Sequence, residues 1–143
     1  SEMCIRDSMS TEEEIERAVE VGKPDVIMHT NSTYPCPEED LNLRYIEWLK
    51  QKYPNKEIGY SGHEEGLDST LSTISLGVDW IERHVTLDKS MWGSDQKASI
   101  NPVEMYQLVN GVKELQQAYY YEPQPRIQFK SENIKKQSLR PKL

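Results

Sequence analysis

The stretch Ile58-Gly59-Tyr60-Ser61-Gly62-His63 is an apolar run of strand length that ends in a polar tip. A second run, Val78 to Thr86, has the same character and carries Glu82-Arg83-His84. Between them Leu67, Leu71 and Ile74 fall at helical spacing, and Gly77 supplies a stop. Strand, helix, strand within some thirty residues is a crossover unit, which forces the two strands to run parallel.

The same alternation extends outward in both directions. Upstream, Val26 to His29 reads as a strand, and the segment Glu38 to Lys52 places Leu41, Tyr45, Trp48 and Leu49 on one helical face before Tyr53-Pro54 ends it. A first helix opens on a capping-box spacing at Ser10 and Glu13, is expected to bury Ile15, Ala18 and Val19, and stops at Gly22 and Pro24. Downstream, Asn101 as N-cap, Pro102 at the first helical position and Glu104 open a last helix with a core face of Met105, Leu108, Val109, Val112 and Leu115. Ser10 to Leu115 is therefore expected to be an α/β fold.

The ends read differently. The opening Ser1 to Ser8 has no periodicity and is set aside as a leader not native to the fold. Beyond Tyr121, Pro123, Pro125 and a basic stretch without apolar periodicity read as linker or tail. No repeat of solenoid period is present.

At 143 residues the chain fits one domain, but 36% hydrophobic residues and a mean hydropathy of -0.79 are low for a self-sufficient core. A fragment of a longer chain is the expectation. A net charge of -7 argues against a nucleic-acid partner, which needs clustered Lys and Arg. No apolar run approaches the roughly 20 residues that span a bilayer. Cys4 and Cys36 have no metal or redox spacing, and a reducing, cytoplasmic setting is expected.

Strand alternation sets which polar residues meet. Ser61 shares a face with His63, and Glu82 with His84, while Arg83 points the other way. Both pairs sit at the C-terminal ends of parallel strands, where α/β folds place their sites. Two convergent imidazoles can hold a divalent transition metal and leave positions open for substrate, although isolated histidines are more often ordinary hydrogen-bonded residues. His29, inside an apolar strand with no partner apparent, is such a case. Ser32 and Tyr34 share a face past the first strand and can bind a carboxylate, phosphate or sugar, or simply shape the loop before Pro35. Asp95, in Trp92-Gly93-Ser94-Asp95, can hold a sugar hydroxyl or stabilise its turn.

Four ordered blocks, HTNSTYPCPEEDLNLRYIEWLK from His29, GYSGHEEG from Gly59, IERHVTLDK from Ile81 and MWGSDQKAS from Met91, resemble the sialic acid synthase family. The likeness covers Met9 to Leu115, with a weaker echo beyond. It implies a partial (β/α)8 TIM barrel, strands six to eight with flanking helices, over residues 9–121, and a tail over 122–143 leading to an absent antifreeze-like domain. On the same resemblance the first half of the barrel, with the lysines expected to grip phosphoenolpyruvate, lies outside this sequence, which would account for an acidic chain with only Lys97 near the expected site.

The resemblance implies an N-acetylneuraminate synthase-like transferase that joins phosphoenolpyruvate to an N-acetylhexosamine such as N-acetylmannosamine, releasing a nonulosonic acid and phosphate. A divalent metal, Mn or Mg, would be held by His63 and His84. Ser32 and Ser61 match phosphoenolpyruvate contacts; Tyr34 and Asp95 match positions near the amino sugar and reacting centre. Glu82 matches an acid beside the metal, with proton transfer and a structural hydrogen bond both open. The family pattern further implies a homodimeric parent and an inactive isolated fragment. Ser61-Gly62-His63 stands where many bacterial members have Ser-Asp-His, and Gln96 where a histidine is frequent. Two other readings remain: a related synthase for another acceptor sugar, and a noncatalytic carbohydrate-binding or assembly module on the same fold.

Overall fold

Each of the apolar runs becomes a parallel strand in the computed structural model, which describes residues 3–119 and 129–139. The sheet has four strands in the order β1-β2-β3-β4: β1 (Cys4–Arg6), β2 (Val26–Thr30), β3 (Glu57–Gly62) and β4 (Trp80–Arg83). Every neighbouring pair is parallel, with Cys4 opposite Val26, Ile27 opposite Ile58, and Ser61 opposite Glu82. The crossovers are α1 (Glu12–Gly22), α2 (Tyr45–Lys52) and α3 (Asp68–Ser72) with a 3-10 turn at Thr73–Leu76; α4 (Pro102–Ala118) follows β4.

Alternation gives the sheet two unlike faces. On the helix side Ile27, Ile58 and Tyr60 pack with Ile46 and Leu49 of α2 into the buried core. The opposite face is concave: Cys4, Val26, Met28, Trp80 and Glu82 border one cavity there, although β1 and β4 are the two outer strands. Arg6 reaches across it to Glu82, Nη1 to Oε1 at 3.3 Å. A flat sheet would hold these strands about 14 Å apart. Gly59 makes the curvature possible, because a Cβ there would lie 2.2 Å from the Met28 sulfur and 2.8 Å from Trp80 Cβ.

Several expectations need correction. The leader set aside over residues 1–8 contains β1, and Asp7 is buried. That pairing is a backbone property and leaves the origin of these side chains an expectation. The first capping box is Thr11 with Glu14, not Ser10 with Glu13, and Ala18 stays exposed while Ile15 is buried. The helix expected over Glu38 to Lys52 is a 3-10 turn at Glu38–Asp40 followed by α2, because Asn42 takes a left-handed backbone (φ 44°) that interrupts it. The last strand is shorter than Val78 to Thr86: Asp79 turns its carboxylate onto the Ile58 amide, and Val85 leaves β3 to bridge Ile100. His29 does have partners. The tail carries a helix, α5 (Lys130–Leu139), that buries no residue, while Tyr121, Pro123 and Pro125 lie outside the described residues.

Candidate active site

The four strand tips converge on the concave side. Gly62 is the last residue of β3 and pairs with Arg83, so His63 and His84 step off neighbouring strands together. Their ring centroids are 5.2 Å apart with planes at 87°. Tyr34 lies against both, 4.2 Å from the His63 ring and 5.4 Å from that of His84. The Tyr34 loop is tied to β3 by the Cys36 amide, which donates to the His63 carbonyl at 2.8 Å.

His63 is buried and its two nitrogens have different surroundings. Nδ1 lies 2.6 Å from the Asn31 carbonyl, which only accepts, so the proton sits on Nδ1. Nε2 is buried without a hydrogen-bond partner and presents a lone pair. Burial lowers the His63 pKa below its ordinary value, against the pull of the Asn31 carbonyl, and so favours the neutral ring. His84 is half-buried, with Nδ1 3.6 Å from Asp95 Oδ2, too long for a good hydrogen bond.

One orphaned, buried imidazole nitrogen with a second ring at right angles beside it is an arrangement able to accept a divalent metal. Among the described residues no cluster of three or more His, Cys, Asp or Glu side chains is arranged to hold an ion. An ion placed here would receive two imidazoles from the protein, a donor set that leaves room for oxygen ligands. His63 and His84 fit the group that the sequence implied.

Around the pair, Ser61 donates to Glu82 Oε1 at 2.7 Å, which places both side chains on the concave face as alternation required. Asp95 is brought to His84, and its main-chain carbonyl accepts from the Ser99 amide and hydroxyl. Ser32 is half-buried one residue past Asn31, and its hydroxyl makes no hydrogen bond among the described residues. Gln96 has a buried side-chain oxygen without a partner, and Lys97 is exposed.

Two buried clusters support the tips from behind, and sequence reasoning missed both. His29 Nδ1 meets Asp7 Oδ2 at 2.9 Å and its Nε2 meets the Leu41 carbonyl at 2.9 Å, while Asp7 Oδ1 accepts from the Thr30 amide. Burial opposes a charge on His29, but the Asp7 carboxylate prevails and the His29 pKa is raised. The second cluster joins Arg83 to Glu64, with Tyr60 and Thr70 donating to the same carboxylate. Glu64 directly follows His63, so alternation alone would have placed it opposite the imidazole, beside Arg83.

The sequence and the fold have counterparts in known proteins. Residues 2–122 match the NeuB family. The chain is 38% identical over 112 residues to N-acetylneuraminate-9-phosphate synthase of Homo sapiens, covering 78% of this chain and 31% of that protein. It is 35% identical over 119 residues to pseudaminic acid synthase of Campylobacter jejuni, covering 80% and 34%. The crystal structure of N-acetylneuraminic acid (sialic acid) synthetase from Leptospira borgpetersenii, in complex with citrate, superposes with a TM-score of 0.82 at 30% identity, over 95% of this chain and 49% of that one. The chain spans about a third of the length of these curated relatives. Its curled parallel sheet is part of a TIM barrel, and the chain belongs to the NeuB family.

Proposed function

We propose that this chain is the metal-gripping, C-terminal half of a barrel that condenses phosphoenolpyruvate with an N-acetylhexosamine to give a nonulosonic acid and phosphate. The observation that carries the reading is the paired imidazoles of His63 and His84 under the Tyr34 ring, at the C-terminal tips of adjacent parallel strands. The names of the relatives, which make different nonulosonic acids, support the reaction class and leave the acceptor sugar open.

In this reading His63 Nε2 and His84 would hold a divalent cation, Mn or Mg, which would supply Lewis acidity for the condensation. The methylene carbon of phosphoenolpyruvate forms the new C–C bond with the aldehyde carbon; water adds to the pyruvyl carbon, and its C–O bond to phosphate breaks. Ser61 and Ser32 hold phosphoenolpyruvate, and the Ser61 hydroxyl is kept in place by Glu82. Glu82 accepts and returns a proton beside the reacting carbons. Tyr34 and Asp95 border the amino sugar, with Asp95 orienting His84. The parent works as a cytoplasmic homodimer, and this half alone turns over little or nothing.

The first test is calorimetric titration of the chain with Mn(II), set beside the variant carrying His63→Ala and His84→Ala. Binding near one ion per chain, lost in the variant, is expected. Equal heats in the two proteins would remove the metal reading and favour a noncatalytic carbohydrate-binding or assembly module. For the whole enzyme, phosphate release from phosphoenolpyruvate with a panel of acetamido-hexoses identifies the acceptor.

A further inference from the structure

Arg83 alternates away from the concave face and is buried on the helix side, its side chain 1% exposed. From there its guanidinium links the segments that carry His63, His84 and Asp95. Nη1 donates to the Gly66 carbonyl at 2.8 Å and to Thr70 Oγ1 at 2.9 Å, and lies 3.3 Å from Glu64 Oε1. Nη2 donates to the Glu64 carbonyl at 2.8 Å and to the Ala98 carbonyl at 3.1 Å. Glu64 is the neighbour of His63, Arg83 is the neighbour of His84, and Ala98 closes the loop that presents Asp95.

The planar, fixed fork of a guanidinium suits this task in a way that a single ammonium does not. The Glu64 carboxylate, also 1% exposed, keeps the fork in register while accepting from Tyr60 at 3.0 Å. The geometry points to Arg83 and Glu64 as a positioning clamp that sets the separation of the His63 and His84 rings without touching anything bound between them.

Position 62 passes through the clamp. A Cβ on Gly62 would lie 2.7 Å from Glu64 Oε2, 2.9 Å from Arg83 Cδ and 2.9 Å from Thr70 Oγ1. Arg83 Nε, one bond from that Cδ, is buried without a partner. A carboxylate carried by residue 62 would therefore occupy the place of the Glu64 group and face the same guanidinium. The clamp has one slot for an acid, and either position can fill it.

Three variants of the 143-residue chain test this: Glu64→Gln, Glu64→Ala, and Glu64→Ala with Gly62→Asp. Two quantities are read, Mn(II) affinity by calorimetry and the cross-relaxation between His63 and His84 ring protons by NMR. The first rests on the metal reading proposed above, and the second does not. Both single variants are expected to weaken Mn(II) binding, within the about 10- to 100-fold that loss of a ligand's supporting partner costs, and to weaken the ring cross-peak; the double variant is expected to recover both. Unchanged affinity and cross-peak in folded Glu64→Gln would overturn the clamp, since a merely structural role lowers stability and leaves the folded site alone.

If wild type takes up no Mn(II), the proposed function fails and the ring cross-peak alone judges the clamp. If Glu64→Ala does not fold, the double variant decides: a folded protein with the cross-peak supports the clamp, and an unfolded one, or one without the cross-peak, removes it.

Discussion

Ser61 Oγ and Glu82 Oε1 lie 2.7 Å apart across a β3–β4 register pair, on the same concave face as the two site histidines. Glu82 is half exposed, so its hydrogen bond contributes only about 0.5–1.5 kcal/mol to stability. If Glu82 moves a proton, Glu82→Gln in the whole enzyme lowers kcat for phosphate release by about 100- to 10,000-fold. Urea unfolding of this chain should change by no more than that hydrogen bond and the half-exposed Arg6 contact, on the order of 1 kcal/mol. An unaltered kcat would leave Glu82 a structural acceptor.

The Asp7–His29 pair makes stability depend on pH with a definite sign. The folded pKa of His29 lies above its ordinary 6.5, so the pair's contribution is complete below 6.5 and is lost as pH rises through the folded value. Urea midpoints measured from pH 6 to 9 should fall on the alkaline side. In Asp7→Asn the carboxylate that raises the His29 pKa is gone, so the fall on the alkaline side should shrink. Parallel pH profiles for the two proteins would refute the assignment.

The order of elements was legible because the crossover pattern depends only on where apolar runs, glycines and prolines fall. The convergence of His63, His84, Glu82 and Ser61 was legible too, since a period of two along parallel strands fixes their face. The Tyr34 packing was not, because the loop after β2 has no period and its course is set by a main-chain bond to β3. Asp7 was lost for another reason: three residues of outer strand are too few to show alternation. The Glu38 to Lys52 helix failed at Asn42, whose left-handed backbone no apolar spacing reveals.

Helix α4 begins on a reciprocal cap that fixes the loop returning from the site. Asn101 Oδ1 accepts from the Glu104 amide at 2.9 Å, and Glu104 Oε2 accepts from the Asn101 amide at 2.8 Å. Lys89 also reaches Glu104, Nζ to Oε1 at 2.7 Å. Asn101→Ala should cost about 1 kcal/mol in denaturant unfolding. A change below a few tenths would mean that the Lys89 contact alone holds the helix start.

The outer edges of β1 and β4 have no strand partner among the described residues, and Trp80 of β4 is 44% exposed. Unpaired parallel edges recruit other chains. Sedimentation velocity of the chain should show concentration-dependent association, relieved by adding the first half of the barrel. A monodisperse monomer across the range would contradict this.

The bond from the Cys36 amide to the His63 carbonyl uses main-chain atoms only. Evolution cannot delete it by exchanging either side chain, short of placing proline at 36. The loop bearing the aromatic ring is thereby tethered to the first imidazole's backbone, and the surroundings can diversify, through Ser32 or Gln96, without loss of that tether.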